Sequence, residues 1–215
     1  MQNDDLVDSR TETRLTKSPP GLGNAAPDSP TVGDWISPAN RKSVSALDAI
    51  AESHHGTHQS IRDWIDRPTL LMFFFTRCEN PNKCSRTVTY AGELQKELKS
   101  RRNDDPFRII LVTYDPVTDD RERLSQYAMS RGAELSAGNL TVLRPLDGSL
   151  SPLCDELLVP VGFALGNVAV HDVVAYLLDK RGAPVRIYRV ALPDFDRLLR
   201  DVDMLAAEEK LRADS

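Results

Sequence analysis

The sequence predicts an α/β fold with a central mixed sheet flanked by helices. Three observations predict it: strand-like and helix-like segments alternate through the middle of the chain, a Gly-containing hairpin follows them, and an amphipathic segment closes the order. Residues 1–31 stand apart, rich in Ser, Thr, Asp, Asn, Pro and Gly, with Pro19-Pro20-Gly21 and Pro27-Asp28-Ser29-Pro30. They hold too little apolar surface to offset the entropy of ordering, which predicts a disordered N-terminal leader. The folded domain is expected over 32–207, with a polar tail over 208–215.

Within the domain, Ser60 precedes Ile61, Trp64 and Ile65 as the cap of one amphipathic turn. The apolar run 70–75 reads as a buried central strand. Residues 87–99 then place Val88, Ala91, Leu94, Gln95 and Leu98 at helical spacing. The β-branched run 107–114 is a second strand, stopped by Asp115-Pro116. A helix over 119–130 follows, with Asp119 as its cap and Gly132 closing it. A short strand over 140–143 and a helix over 151–158 come next. Strands over 173–178 and 185–188 are joined by the hairpin Asp179-Lys180-Arg181-Gly182-Ala183-Pro184, and a helix over 192–207 ends the domain. A parallel βαβ half, an antiparallel hairpin and a terminal helix make the thioredoxin-like arrangement.

With 215 residues, 40% of them hydrophobic, the chain can build one core without staples. A net charge of −5 with no long Lys/Arg block excludes a nucleic-acid footprint. The acidic, amide-rich opening lacks the basic start and apolar stretch of a secretory signal, and no run is long enough to span a bilayer. As written, the chain is expected in the cytoplasm. Three cysteines are too few for a disulfide scaffold.

Two of those cysteines, in Cys78-Glu79-Asn80-Pro81-Asn82-Lys83-Cys84, emerge where the central strand breaks into a loop and then a helix. His171 stands just before the strand at 173–178. Two sulfurs and one imidazole suit copper: thiolates are soft donors for Cu(I), and the imidazole lets the same site hold Cu(II). Arg77, Lys83, Arg86 and the nearby helix N-terminus are expected to ease thiol deprotonation, with Glu79 opposing them. The plainer readings are buried packing for the thiols and an ordinary satisfied histidine for His171. Cys154, between Leu153 and Leu157, reads as core. His54, His55 and His58 form a second cluster that could catch Cu(II), Ni(II) or Zn(II), or form only a polar turn around Gly56. Asp115 and Asp119 read as turn and cap residues.

The stretch 67–78 (Arg-Pro-Thr-Leu-Leu-Met-Phe-Phe-Phe-Thr-Arg-Cys), the stretch 112–119 (Val-Thr-Tyr-Asp-Pro-Val-Thr-Asp), and Val170-His171 ahead of Tyr176-Leu177-Leu178-Asp179 together resemble the Sco/SenC family of copper chaperones, over most of residues 32–205. The resemblance implies a thioredoxin-like domain that holds one copper ion through Cys78, Cys84 and His171. It also implies delivery to a copper-receiving protein such as a respiratory oxidase subunit, from a membrane anchor facing an oxidising compartment. The chain departs from the family in one respect: five residues separate its cysteines where the family usually has three, and no Pro follows Cys84. The residues alone leave a second function open, a thiol-disulfide oxidoreductase in which Cys78 and Cys84 are the catalytic redox pair, served by a thiol-disulfide reductant. A structural zinc site, which usually takes four ligands, and a peroxidase, which needs a different threonine spacing, fit less well.

Overall fold

The computed structural model describes residues 31–101, 107–146, 148–164 and 167–213. Apart from Thr31, the leader expected over 1–31 lies outside the described residues. The chain opens with β1 (Thr31–Val32), the hairpin strands β2 (Ile50–Ser53) and β3 (His58–Ser60), and then β4 (Thr69–Phe74). Next come α1 (Arg86–Arg101), β5 (Arg108–Thr113), α2 (Arg121–Met129), β6 (Leu140–Pro145) and α3 (Leu150–Leu157). A second hairpin, β7 (Val161–Ala164) and β8 (Asn167–His171), precedes β9 (Val174–Leu178), β10 (Pro184–Arg189) and α4 (Phe195–Ala213).

Eight strands form one sheet in the order β1-β10-β9-β4-β5-β6-β2-β3, and β7 and β8 form a separate two-stranded sheet. The center falls to β4, because all six of its residues are buried and only an inner strand covered on both faces can hide such a run. It runs parallel to β5 and antiparallel to β9, while β5 runs parallel to β6, giving the mixed sheet that the sequence predicts. The β9–β10 turn is set by Gly182 at φ 78° and by the Asp179 carboxylate, which accepts from the Arg181 and Ala183 N–H groups at 3.0 Å each.

The helical spacing seen in the sequence becomes the buried face of α1: Val88, Ala91, Leu94 and Leu98 are all core residues. Gln95 joins them because its amide is spent, donating to the Glu134 carbonyl at 3.1 Å and accepting from the Glu134 N–H at 2.9 Å. A Cβ on Gly92 would stand 2.6 Å from the Gly132 backbone, so the close approach of α1 to the loop after α2 requires glycine. Ser60 caps its turn as expected, in a reciprocal capping box with Asp63, although the turn is a 3-10 helix. Cys154 is buried in the core.

Three features differ from the sequence reading. The cap of α2 is Asp120, whose side chain accepts from the Arg123 N–H at 2.8 Å, and Asp119 turns inward. Both short hairpins, β2–β3 and β7–β8, form from segments without a strong strand pattern. The last helix passes the expected end at 207 and continues to Ala213, because the charge of Glu208 is matched. Arg41 grips that carboxylate at 2.6 and 2.9 Å, and the Trp35 indole donates to it at 3.3 Å. Among the described residues no helix is long and apolar enough to cross a membrane.

Candidate metal centre

The site begins where β4 ends. Phe75 is the last buried residue, and Thr76 then turns the chain toward Asp119. That carboxylate is fully buried and accepts from the Thr76 N–H at 3.1 Å, from the Thr76 hydroxyl, and from the Thr113 hydroxyl at 2.5 Å. A buried carboxylate survives only when its lone pairs are filled, and here the filling joins the ends of β4 and β5 beneath the cysteine loop. Arg77 is fixed in the same way, donating to Asp115 at 2.6 and 3.0 Å and to the Asn167 side chain at 3.0 Å.

Cys78 follows, half-buried, and its thiol donates to the Asn80 carbonyl across 3.6 Å. The loop between the cysteines is taken up by a wide π-helical turn, Pro81–Ser85, in which Asn80 caps the start by accepting from the Asn82 N–H at 2.9 Å. Pro at the first position suits a helix start because its missing N–H would have no partner there. The turn carries Cys84 into the interior and runs directly into α1.

His171, the last residue of β8, meets both sulfurs. Its Nε2 lies 3.3 Å from the Cys78 Sγ and 3.2 Å from the Cys84 Sγ. The three donor atoms all lie within 4.8 Å of one another, close enough to share one ion. The imidazole packs edge-to-face on Phe75 at 5.1 Å and tilts against Tyr114 at 5.8 Å, so aromatic surface backs the site. Cys78 and His171 face a cleft of about 580 Å³ whose walls include Asn80, Val168 and Val170, while Cys84 sits behind them.

The electrostatics of the pair differ from the sequence reading. Burial pushes the Cys84 thiol well above the ordinary range, outweighing a backbone hydrogen bond at Phe75 and the Lys83 cation that favor the thiolate. A metal ion would therefore have to displace a proton there. Burial also lowers the His171 pKa, helped by Lys83 and opposed by Asp172, which keeps the ring neutral and its lone pair available.

The second histidine cluster does not converge. His54 and His55 sit in the β2–β3 turn around Gly56, with rings 3.9 Å apart. Both nitrogens of His54 are occupied: Nδ1 accepts from the Val142 N–H at 3.2 Å and Nε2 faces the Leu135 carbonyl at 3.3 Å. His58 pairs with Glu52 at 3.5 Å. Among the described residues, Cys78, Cys84 and His171 are the group placed to hold a metal.

The sequence reading missed how Lys83 and Asp172 take part. The Lys83 ammonium donates to the His171 carbonyl at 2.5 Å and pairs with Asp172 at 3.2 Å. A cation five residues after one thiol and next to the other was visible as charge, but its target was not.

Residues 51–149 match the SCO1/SenC family model, a span that includes both cysteines and ends before His171. Over that span the chain is similar to the SCO1/SenC family. Solved structures similar to this chain share its fold. BsSco, described as a member of the Sco family of cytochrome c oxidase assembly proteins with a disulfide switch, is 21% identical with a TM-score of 0.65, over 81% of this chain and 97% of that one. A SCO1/SenC family lipoprotein from Bacillus anthracis str. Ames is 20% identical with a TM-score of 0.62, over 74% and 96%. ScoI from Bradyrhizobium japonicum, solved with copper bound, is 17% identical with a TM-score of 0.58, over 73% and 96%. No curated protein matches the chain.

Proposed function

We propose that this chain is a copper metallochaperone that holds one ion through Cys78, Cys84 and His171 and passes it to a cuproprotein such as a respiratory oxidase subunit. One observation carries the reading: a soft pair of sulfurs and one imidazole, from elements far apart in sequence, lie with their donor atoms within 4.8 Å. This set suits Cu(I) through the sulfurs and Cu(II) through the added nitrogen. The copper-bound ScoI of Bradyrhizobium japonicum supports the same cargo. The folded unit is taken as 32–207 with α4 extending it, and the site needs nothing from outside that span.

Transfer follows from exposure. Cys78 and His171 face the open cleft and Cys84 lies behind, so a ligand from the recipient first replaces Cys78 and the buried sulfur lets go last. In a reducing compartment both sulfurs stay as thiols ready for Cu(I).

A second reading, thiol-disulfide exchange, is favored by the pairing of a half-exposed Cys78 with a buried Cys84. Cys78 would attack a partner disulfide and Cys84 would resolve the mixed disulfide, two electrons and two protons passing to the partner. Copper titration of the reduced protein, read in the thiolate-to-Cu(II) absorption region for wild type and His171→Ala, separates the two. The chaperone reading expects one equivalent bound by wild type and lost in the variant, with disulfide reduction spared. Failure of wild type to bind one equivalent overturns it in favor of the oxidoreductase.

A further inference from the structure

His171 belongs to β8, and β8 pairs with β7 in a sheet separate from the eight-stranded one that carries the cysteine loop. The ladder of the main sheet therefore does not fix the imidazole beside the sulfurs. Beside the short link to β9 at Val174 and the packing of the ring on Phe75 and Tyr114, one side chain ties the hairpin to the cysteine loop itself, that of Lys83. Its backbone is anchored in the wide turn: its N–H donates to the Asn80 carbonyl at 3.1 Å, and its carbonyl accepts from the Arg86 N–H and from the Thr87 hydroxyl at 3.1 Å. From that footing the ammonium reaches across to the His171 carbonyl at 2.5 Å and to the Asp172 carboxylate at 3.2 Å.

We propose that Lys83 is a positioning residue, a latch within the cysteine loop that holds the end of β8 so that the His171 imidazole stays beside Cys78 and Cys84. The inference rests on the copper reading above and assigns Lys83 a role in which metal state the site can keep. The two sulfurs share one loop and stay together without the latch. The imidazole arrives from another sheet, and its placement depends on it. Cu(II), which needs the nitrogen, is therefore the state that Lys83 protects, while Cu(I) can rest on the sulfurs. Arg77 also reaches the hairpin, at Asn167, and the Asp172 N–H closes the hairpin's base on the Pro160 carbonyl at 3.0 Å, but neither grips the ligand residue from the cysteine loop.

The test uses the full chain as wild type, Lys83→Met, Lys83→Arg and His171→Ala. Lys83→Met keeps the aliphatic stem and removes the donors, and Lys83→Arg restores a cation with donors. In Lys83→Met, Cu(II) affinity should fall about 10–100-fold, as for loss of groups that orient metal ligands, with Cu(I) affinity changed less than about threefold. Lys83→Arg should recover most of the Cu(II) loss. Hydrogen exchange on the metal-free protein provides the readout that needs no copper: amides 167–172 should exchange faster in Lys83→Met than in wild type, with the amides of β4 and β5 unchanged. The latch is overturned if Lys83→Met matches wild type in Cu(II) affinity and hairpin exchange, or if it loses Cu(I) and Cu(II) equally. Wild type that binds no copper sinks the chaperone reading, and the exchange of 167–172 still decides whether Lys83 holds the hairpin.

Discussion

Two groups of potential metal ligands in this chain behave in opposite ways. His54, His55 and His58 crowd together in sequence, yet His54 spends both ring nitrogens on the backbone and His58 turns to Glu52. Cys84 and His171 are 87 positions apart, yet their donor atoms lie 3.2 Å from one another. Local density of ligand types is thus a poor guide to a site. A β-turn sends neighboring side chains in different directions, whereas a strand end, a helix start and a hairpin end can aim theirs at one point.

The contrast is sharpest at the sulfurs. Cys84→Ser should lower copper affinity by more than the about 100-fold seen on loss of groups that merely orient ligands, measured by competition with a chelator. An unchanged affinity would return Cys84 to the role of a packing residue. Asp119→Ala should unseat the same loop from beneath. It removes acceptors from the Thr76 and Thr113 hydroxyls, each bond to a charged group being worth about 1.5–3 kcal/mol, so denaturant unfolding should show a loss of several kcal/mol.

At the histidine cluster the expected effects concern stability and leave copper alone. His54→Ala orphans the Val142 N–H and the Leu135 carbonyl, a cost of about 1–3 kcal/mol, with one copper equivalent still bound. Burial lowers the His54 pKa, so the unfolded chain takes up a proton there before the folded one does. Stability from this group is complete above the ordinary histidine pKa and is lost as pH falls through the lower folded value. Replacement by Gln should flatten that part of the acid profile. The smallest effect is reserved for His55→Ala combined with His58→Ala: stability within about 0.5 kcal/mol of wild type and copper stoichiometry unchanged. A drop in stoichiometry would make the cluster a second site.

The sequence made the sheet legible wherever a run was apolar at every position, as at 70–75, or held a helical period, as in Val88, Ala91, Leu94 and Leu98. It did not reveal β7 and β8, short strands that are largely exposed, interrupted by Gly162 and paired with each other, so that no buried apolar run marks them. The choice of Asp120 over Asp119 as the cap of α2 escaped for a similar reason, since two adjacent carboxylates look alike until Thr76 and Thr113 claim one of them. The resemblance to the Sco/SenC family brought out Cys78, Cys84 and His171 as a set. The height of the Cys84 pKa did not follow from the nearby cations, because burial depends on the folded interior and outweighs them. The role of Lys83 was hidden because the partner that gives it meaning, the backbone of His171, is 88 residues away.

Copper K-edge absorption on the singly loaded full chain addresses the central claim most directly, because sulfur and nitrogen scatter distinguishably around the ion. The account predicts two sulfurs and one imidazole nitrogen per Cu(II) in wild type, with the nitrogen contribution lost in His171→Ala and retained in His55→Ala/His58→Ala. A shell of nitrogen and oxygen alone, or one insensitive to His171, would contradict it.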